Sequence, residues 1–181
     1  MANYFYMRIS TKEERNLQSY ARQEKALKKY AEENKLIYSD RYVYKDDVTG
    51  STFERAEWKE LEGNLSSGDS IVFKEISRFT REAENGYKKY MELMNKGISL
   101  IFLDNPTVST DYIKELTNVA QSQDLVAKTA MEGIIKVLLI VELDRCQKER
   151  EIFIARVKQG IAASEKVQGR KKGQLDKDRK S

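Results

Sequence analysis

"SGDSIVFKEI" (residues 67–76) settles the fold class. Ser67, Gly68 and Asp69 make a turn, and residues 70–76 follow as a mostly apolar strand. Helical spacing then runs through residues 78–95, and "ISLIFLD" (98–104) reads as another strand with little polar content. Strand, helix and strand in that order imply a parallel pair with a crossover helix. The alternation also holds upstream. "NYFYMRI" (3–9) reads as a strand, and residues 14–34 carry helical spacing through Leu17, Tyr20, Ala21, Leu27, Tyr30 and Ala31. "LIYSDRYVY" (36–44) is a further strand, "KDDVTGSTF" (45–53) a loop, and a short helix runs through Trp58, Leu61 and Leu65. The expected fold is α/β, with a mostly parallel sheet flanked by helices. Sites in such sheets gather beyond the C-terminal ends of the strands, where Ser10, Asp46 and Ser77 fall.

Downstream the pattern changes. Residues 110–125 are a polar helix or loop, and a helical pattern then runs from about 127 to 167 with no proline and with Gly133 and Gly160 as its only glycines. Forty residues at 1.5 Å each give roughly 60 Å, far more than a domain of this size needs. The first half is apolar on almost every side (Ile134, Ile135, Val137, Leu138, Leu139, Ile140, Val141, Leu143). Such a helix needs more than one cover, and a second subunit is the obvious one beyond the domain itself. The second half, "DRCQKEREIFIARVKQ" (144–159), is charged and expected to project outward. The expected organisation is an α/β domain over 1–125, a long C-terminal dimerisation helix over 126–168, and a basic tail or linker over 169–181.

Composition narrows the chemistry. The chain has 181 residues, 40% hydrophobic and 34% charged, enough to bury a core. It contains no histidine, which removes Ser-His-Asp triads, Cys-His dyads and imidazole bases. Its one cysteine, Cys146, excludes an internal disulfide framework and points to a reducing, cytoplasmic setting. "MANYFYMRIS" has no charged n-region or long apolar stretch, so no signal peptide is expected. The most apolar run, "GIIKVLLIVEL" (133–143), is too short to span a bilayer and contains Lys136. Net charge is +4, and residues 165–181 hold seven Lys/Arg against Glu165, Asp176 and Asp178, so the whole excess sits in the tail. A basic tail is either a solvated end or a contact for phosphate backbones.

The residues suited to chemistry are arginines and a serine. In "YMRIST" (6–11), Arg8 and Ser10 share one face of the strand. Ser10 has two readings. "STKE" fits a helix-capping box through Ser10 and Glu13, although Thr11 and Glu14 fit the same box, which leaves Ser10 open to act as a nucleophile. Arg55 is expected in the first turn of its helix. Arg78 and Arg81 are expected in the first turn of theirs, three apart on one face. A cation there opposes the helix macrodipole at about 0.3–1 kcal/mol each. An anion would repay that cost, as would the neighbouring Glu54, Glu57, Glu75 and Glu82.

Taken together, "YMRIST", "ARQEKAL" (21–27), "TGSTFER" (49–55), "GDSIVFKEISRFTRE" (68–82), "GISLIFLDNPTVST" (97–110), "EREIFIARVKQGIAAS" (149–164) and "GRKKG" (169–173) resemble, in order and over nearly the whole chain, the catalytic domain of the resolvase/invertase family of serine recombinases. The resemblance implies a resolvase-like fold and a serine, here Ser10, that attacks a DNA phosphodiester. It implies active-site roles for Arg8, Arg55, Arg78, Arg81 and Gln23. Glu149, Arg150 and Arg156 match charged positions of the long helix near DNA or the neighbouring subunit, and Arg170, Lys171 and Lys172 belong to the basic stretch expected on DNA. The implied partners are double-stranded DNA and further copies of the chain, as a dimer and, in the active complex, a tetramer. Breaks with 5′-phosphoserine links, subunit exchange and religation would follow without metal, ATP or other cofactor. Two positions depart from the pattern. Relatives usually have Asp where this chain has Ser77, and often Glu where it has Ala155. After "GRKKG" eight residues remain, too few for a helix-turn-helix reader, so the chain is expected to be a fragment of a longer protein.

The physical logic is consistent with this. Serine is a poor nucleophile unless activated, and attack on phosphate builds charge on the equatorial oxygens. Four arginines held in place meet that charge as metal ions do elsewhere. Arg55, following a loop, is expected to be poorly placed without substrate. Two other readings stand beside the recombinase. One is a non-catalytic oligomerisation module that contacts DNA through its long helix and tail. The other is a metal-dependent nuclease using Asp46, Asp47 and Asp104, although these acids, like Asp40, are scattered and of a kind more often found in turns.

Overall fold

The structure, a computed structural model, describes residues 1–9, 18–48, 52–118 and 125–163. Ser10, the start of the first helix, residues 49–51, and the tail with Arg170, Lys171 and Lys172 lie outside the described residues, as does the side chain of Arg150. Contacts divide the chain into two units, Met1–Cys146 and Gln147–Ser181.

Four strands, β1 (Asn3–Ile9), β2 (Val43–Asp47), β3 (Ser70–Phe73) and β4 (Ser99–Phe102), form one sheet in the order β2-β1-β3-β4. All three pairings are parallel. The α/β expectation therefore holds, and alternation along the strands explains the layers. Tyr4 and Tyr6 of β1, with Ile71 and Phe73 of β3, enter one core. Phe5, Met7 and Val72 enter the other, beneath Leu27 and Ala31 of α1 (Gln18–Glu33). The larger core is closed by α2 (Ala56–Asn64), α4 (Ala83–Asn95), α5 (Thr110–Asn118) and the first part of α6 (Leu125–Ala162). At its centre Trp58 is fully buried, with ring centroids of Phe53 at 5.1 Å, Tyr6 at 5.2 Å and Phe79 at 5.6 Å. Tilted and edge-on contacts of this kind add to what burial alone gives.

The strand boundaries differ from the sequence reading in a way that matters for the site. Residues 36–39 are irregular, Asp40–Tyr42 form a single 3-10 turn, and β2 starts at Val43, so "KDD" belongs to a strand and not to a loop. β3 ends at Phe73, three residues earlier than its apolar run suggests. The expected helix 78–95 is two helices: α3 (Ile76–Phe79) stops at Thr80, whose backbone is extended (φ −144°, ψ 160°), and α4 starts at Ala83. Thr80 holds the break through its hydroxyl, which donates to the Glu82 carbonyl at 2.8 Å and accepts from the Glu82 amide at 3.1 Å.

Gly86 lies in α4 against that break. A Cβ there would sit 2.4 Å from Thr80 Cγ2, and Thr80 is tied down on both sides. Overpacking outweighs the gain in helix propensity, so Gly86→Ala is expected to lower unfolding free energy by about 1–2 kcal/mol. Denaturant midpoints check this, and Thr80→Ser in the same chain, which removes the clashing methyl, should recover most of the loss.

On α6, Ile135 and Leu139 are buried in the larger core, with Leu138, Leu143 and Cys146 partly covered. Ile134, Val137, Ile140 and Val141 are exposed by 44–58%. Among the described residues no helix is long and apolar enough to cross a membrane.

Candidate active site

The C-terminal ends of β1 and β3 converge on a cluster of guanidinium groups. Arg8 points to the same side of the sheet as Tyr6 and is fully buried. Its Nε donates to the Arg78 carbonyl at 3.1 Å, its Nη1 to the Val48 carbonyl at 2.9 Å, and its Nη2 to the Ser77 carbonyl. One planar fork thus joins the end of β1 to the turn after β2 and to α3. Burial, followed by the charges of Arg81, Arg55 and Arg78, presses the Arg8 guanidinium below its ordinary value, to about 9. It remains charged at neutral pH, in a field that favours any incoming anion.

Arg55 corrects an expectation. It is the residue before α2, in extended backbone (φ −119°), and not in the first turn. Its side chain is buried, at 2% exposure. Nε donates to the Thr52 carbonyl at 2.7 Å, Nη1 to the Tyr6 hydroxyl at 2.9 Å and Nη2 to the Phe79 carbonyl at 2.9 Å, while the Phe53 ring lies 4.9 Å from the guanidinium carbon. Aromatic faces and carbonyls give a buried cation what water would otherwise supply.

Arg78 and Arg81 do not share a helical face. Arg78 is in α3, and Arg81 is exposed in the bend between α3 and α4. Arg78 Nη1 donates to the Arg8 carbonyl at 3.1 Å, and its Nη2 lies 2.6 Å from Glu75 Oε1. Gln23 of α1 is buried and grips the same strand end: its Oε1 accepts from the Arg8 amide and its Nε2 donates to the Arg8 carbonyl, both at 3.2 Å. The pairing is with main chain, so Gln23 fixes the path of β1 as it approaches residue 10.

Tyr6 of this network is not singled out in the sequence, and Asp46 is singled out only as a residue past a strand end and as a metal ligand of the nuclease reading. Tyr6 donates to Asp46 Oδ2 at 2.7 Å while accepting from Arg55, and burial, with Asp46, pushes its phenol up against the pull of Arg55. Asp46, 3% exposed, also accepts from the amides of Glu57 (3.3 Å) and Trp58 (3.1 Å). It caps α2 from a neighbouring strand, where Arg55 makes no side-chain cap of its own. Asp46 is therefore no turn residue. The available signals were that Tyr6 lies two before Arg8 on one strand face and that Asp46 lies two after Tyr44. The acids of the nuclease reading serve separate partners: Asp47 accepts from Tyr20, and Asp104 pairs with Lys74. Among the described residues no three metal-ligating side chains converge. Glu149 and Arg156 are exposed in the second unit.

Glu75 makes the site sensitive to acid. Burial pushes its carboxyl up, but Arg78, the Ser77 hydroxyl and Lys74 outweigh that and hold it below the ordinary carboxylate range. A depressed folded value gives stability that is present above the unfolded value and lost as pH falls through the folded one. Glu75→Gln should be less stable than the parent at neutral pH, and the gap should close on acidification through that window. Urea titrations at a series of pH values read it.

The resolvase N-terminal domain family matches residues 3–171. Among curated proteins no sequence matches the chain. Among solved structures it is similar to the N-terminal catalytic domain of TP901-1 integrase, at 19% identity and a TM-score of 0.53, over 83% of this chain and 99% of that one. It is also similar to a resolvase family site-specific recombinase from Streptococcus pneumoniae, at 18% identity and a TM-score of 0.50, over 90% and 96% of the two chains. These two likenesses concern the fold, and the family match extends over the arginine cluster and the helix that follows: the chain belongs to the resolvase family and is the catalytic domain of a serine recombinase, an enzyme of DNA breakage and rejoining.

Proposed function

We propose that Ser10 is the nucleophile of site-specific DNA recombination. The observation that supports this most is the gathering of Arg55, Arg78 and Arg81 around Arg8, two residues before Ser10 in the chain. In the proposed reaction Ser10 Oγ bonds to phosphorus, and the bond from phosphorus to the 3′ oxygen breaks. The serine proton leaves to a base, and the departing oxygen takes up a proton to become a 3′-hydroxyl. The 5′ phosphate stays on serine as a diester, so the same number of phosphodiester bonds survives and a 3′-hydroxyl can reverse the step on an exchanged strand. Arg78 and Arg81, the less buried cations, meet the charge on the transferring phosphate, while Arg8 and Arg55 hold the frame and add to the field. Gln23 acts through the backbone of Arg8. Glu149, Arg150, Arg156, Arg170, Lys171 and Lys172 contact DNA or the neighbouring subunit. The exposed apolar residues of α6 are of the kind a second copy covers, which supports a dimer and, on paired sites, a tetramer.

The test is chemical. The chain, fused after Ser181 to a sequence-specific DNA reader, is given nicked duplexes carrying that reader's sites, so that cleavage cannot reseal. The expected product is protein attached to a 5′ end with a free 3′-hydroxyl opposite, formed equally in EDTA. Absence of that product from the wild-type fusion overturns the proposal. Cleavage lost in EDTA would instead favour the nuclease reading.

A further inference from the structure

Four guanidinium groups at one end of a sheet oppose one another, as the effect of three of them on Arg8 shows. A carboxylate, that of Glu75, enters that crowd directly. Glu75 stands just ahead of α3 in extended backbone (φ −145°, ψ 157°). Its Oε1 accepts from Ser77 Oγ at 2.7 Å and lies 2.6 Å from Arg78 Nη2. Both side chains are largely covered, at 24% exposure for Glu75 and 16% for Arg78, so water screens the pair only in part. Arg78 is thereby fixed at two points, by an anion on one Nη and by the main chain of β1 on the other. α3 itself is held from a different side. The Ile76 amide donates to the buried Asn105 side chain at 2.9 Å, which leaves the Glu75 carboxylate free of capping duty. Asp46, the buried acid nearby, is spent on Tyr6 and the amides of α2.

Ser77 makes the arrangement informative. Its hydroxyl touches the Glu75 carboxylate, so an acid at position 77 would bring its oxygens to the place that Glu75 Oε1 now fills. The local need for an anion beside Arg78 is met from two residues upstream. We propose that Glu75 is a positioning residue of the recombination site, orienting Arg78 toward the reacting phosphate while Arg78 stays tied to the strand that leads to Ser10. This rests on the reading of Arg78 as a phosphate-binding group. Glu75 bonds to no substrate in it and exchanges no atoms.

The experiment compares wild type, Glu75→Gln, and Glu75→Gln/Ser77→Asp. In the nicked-duplex assay, Glu75→Gln should slow adduct formation by about tenfold to a hundredfold, as expected when a reacting group is held loosely, with duplex affinity changed by less than about twofold. The added Ser77→Asp should bring the rate back to within about threefold of wild type, since the two positions share one partner. A Glu75→Gln rate equal to wild type overturns the proposal, and so does a double variant no faster than the single one. In parallel, the 181-residue chain without DNA is followed by ¹⁵N-edited NMR at the Arg78 Nε–Hε signal. That signal should shift and broaden in Glu75→Gln and return in the double variant. If wild type forms no adduct, the recombinase reading fails on its own, and an Arg78 signal unmoved by Glu75→Gln then overturns the positioning role separately.

Discussion

Ser10→Ala is expected to leave no protein-linked DNA under conditions where wild type accumulates it. The expected loss is total because the proposed reaction has one covalent step on the protein, and alanine has no atom to make the bond. The arginine cluster alone stabilises charge on a phosphate but offers nothing to attack it. Serine is also the residue whose chemistry is hardest to replace here, since the chain contains no histidine to activate water in its stead. DNA binding should survive, because the cations remain. Denaturing gels of labelled nicked duplex read both outcomes in one lane, as adduct and as shifted complex. An adduct still formed by Ser10→Ala would move the nucleophile elsewhere and end the present reading.

Arg8→Met is expected to damage fold and reaction together. The side chain is fully buried, and its donors serve the carbonyls of Val48, Ser77 and Arg78. Methionine fills much of the volume but abandons those acceptors, each costing about 1–3 kcal/mol when buried and unpaired. Against this, removing a buried cation relieves its desolvation and the repulsion from Arg81, Arg55 and Arg78. The acceptors win, because three are orphaned and one charge is released, and the expected net loss is about 3 kcal/mol. Adduct formation should fall well beyond what reduced folding explains, since α3 and the end of β1 lose their common tie. Arg8→Lys should recover little of either, because one ammonium cannot span three carbonyls in a planar fork. Urea unfolding with an unchanged m-value tests the stability term. A midpoint equal to wild type would show that the carbonyls are satisfied in some other way.

The chain is legible where burial and alternation agree. β1 needed only its own period, Tyr4 and Tyr6 against Phe5 and Met7, and the parallel sheet followed from the succession of elements. Reading failed where single side chains overrode a run. "SIVFKEI" is mostly apolar, yet β3 stops at Phe73, and Asn105, far along the chain, accepts from the Ile76 amide at the start of α3. The split between α3 and α4 turns on Thr80 bonding to Glu82, which no hydrophobic pattern encodes. In the site, the arginines were found by position and Glu75 was among the acids named beside them, but the main-chain partners and Tyr6 were not. Tyr6 and Asp46 act through partners 11 to 49 residues away, and such pairings become visible when the strands are laid side by side.

The two neighbours of β1 do not accompany it equally far. β2 stays in register to Ile9 opposite Asp47, whereas pairing with β3 ends at Tyr6 opposite Phe73. Beyond Tyr6 the open side of the central strand is stitched by the Gln23 amide and the Arg78 fork in place of a backbone ladder. A ladder can be altered only by shifting a whole strand, which turns every side chain to the wrong face. A stitch can be lengthened, weakened or swapped by one substitution. The pairing of the last residues before Ser10 can thus be retuned by single substitutions at Gln23 or Arg78, without moving a strand.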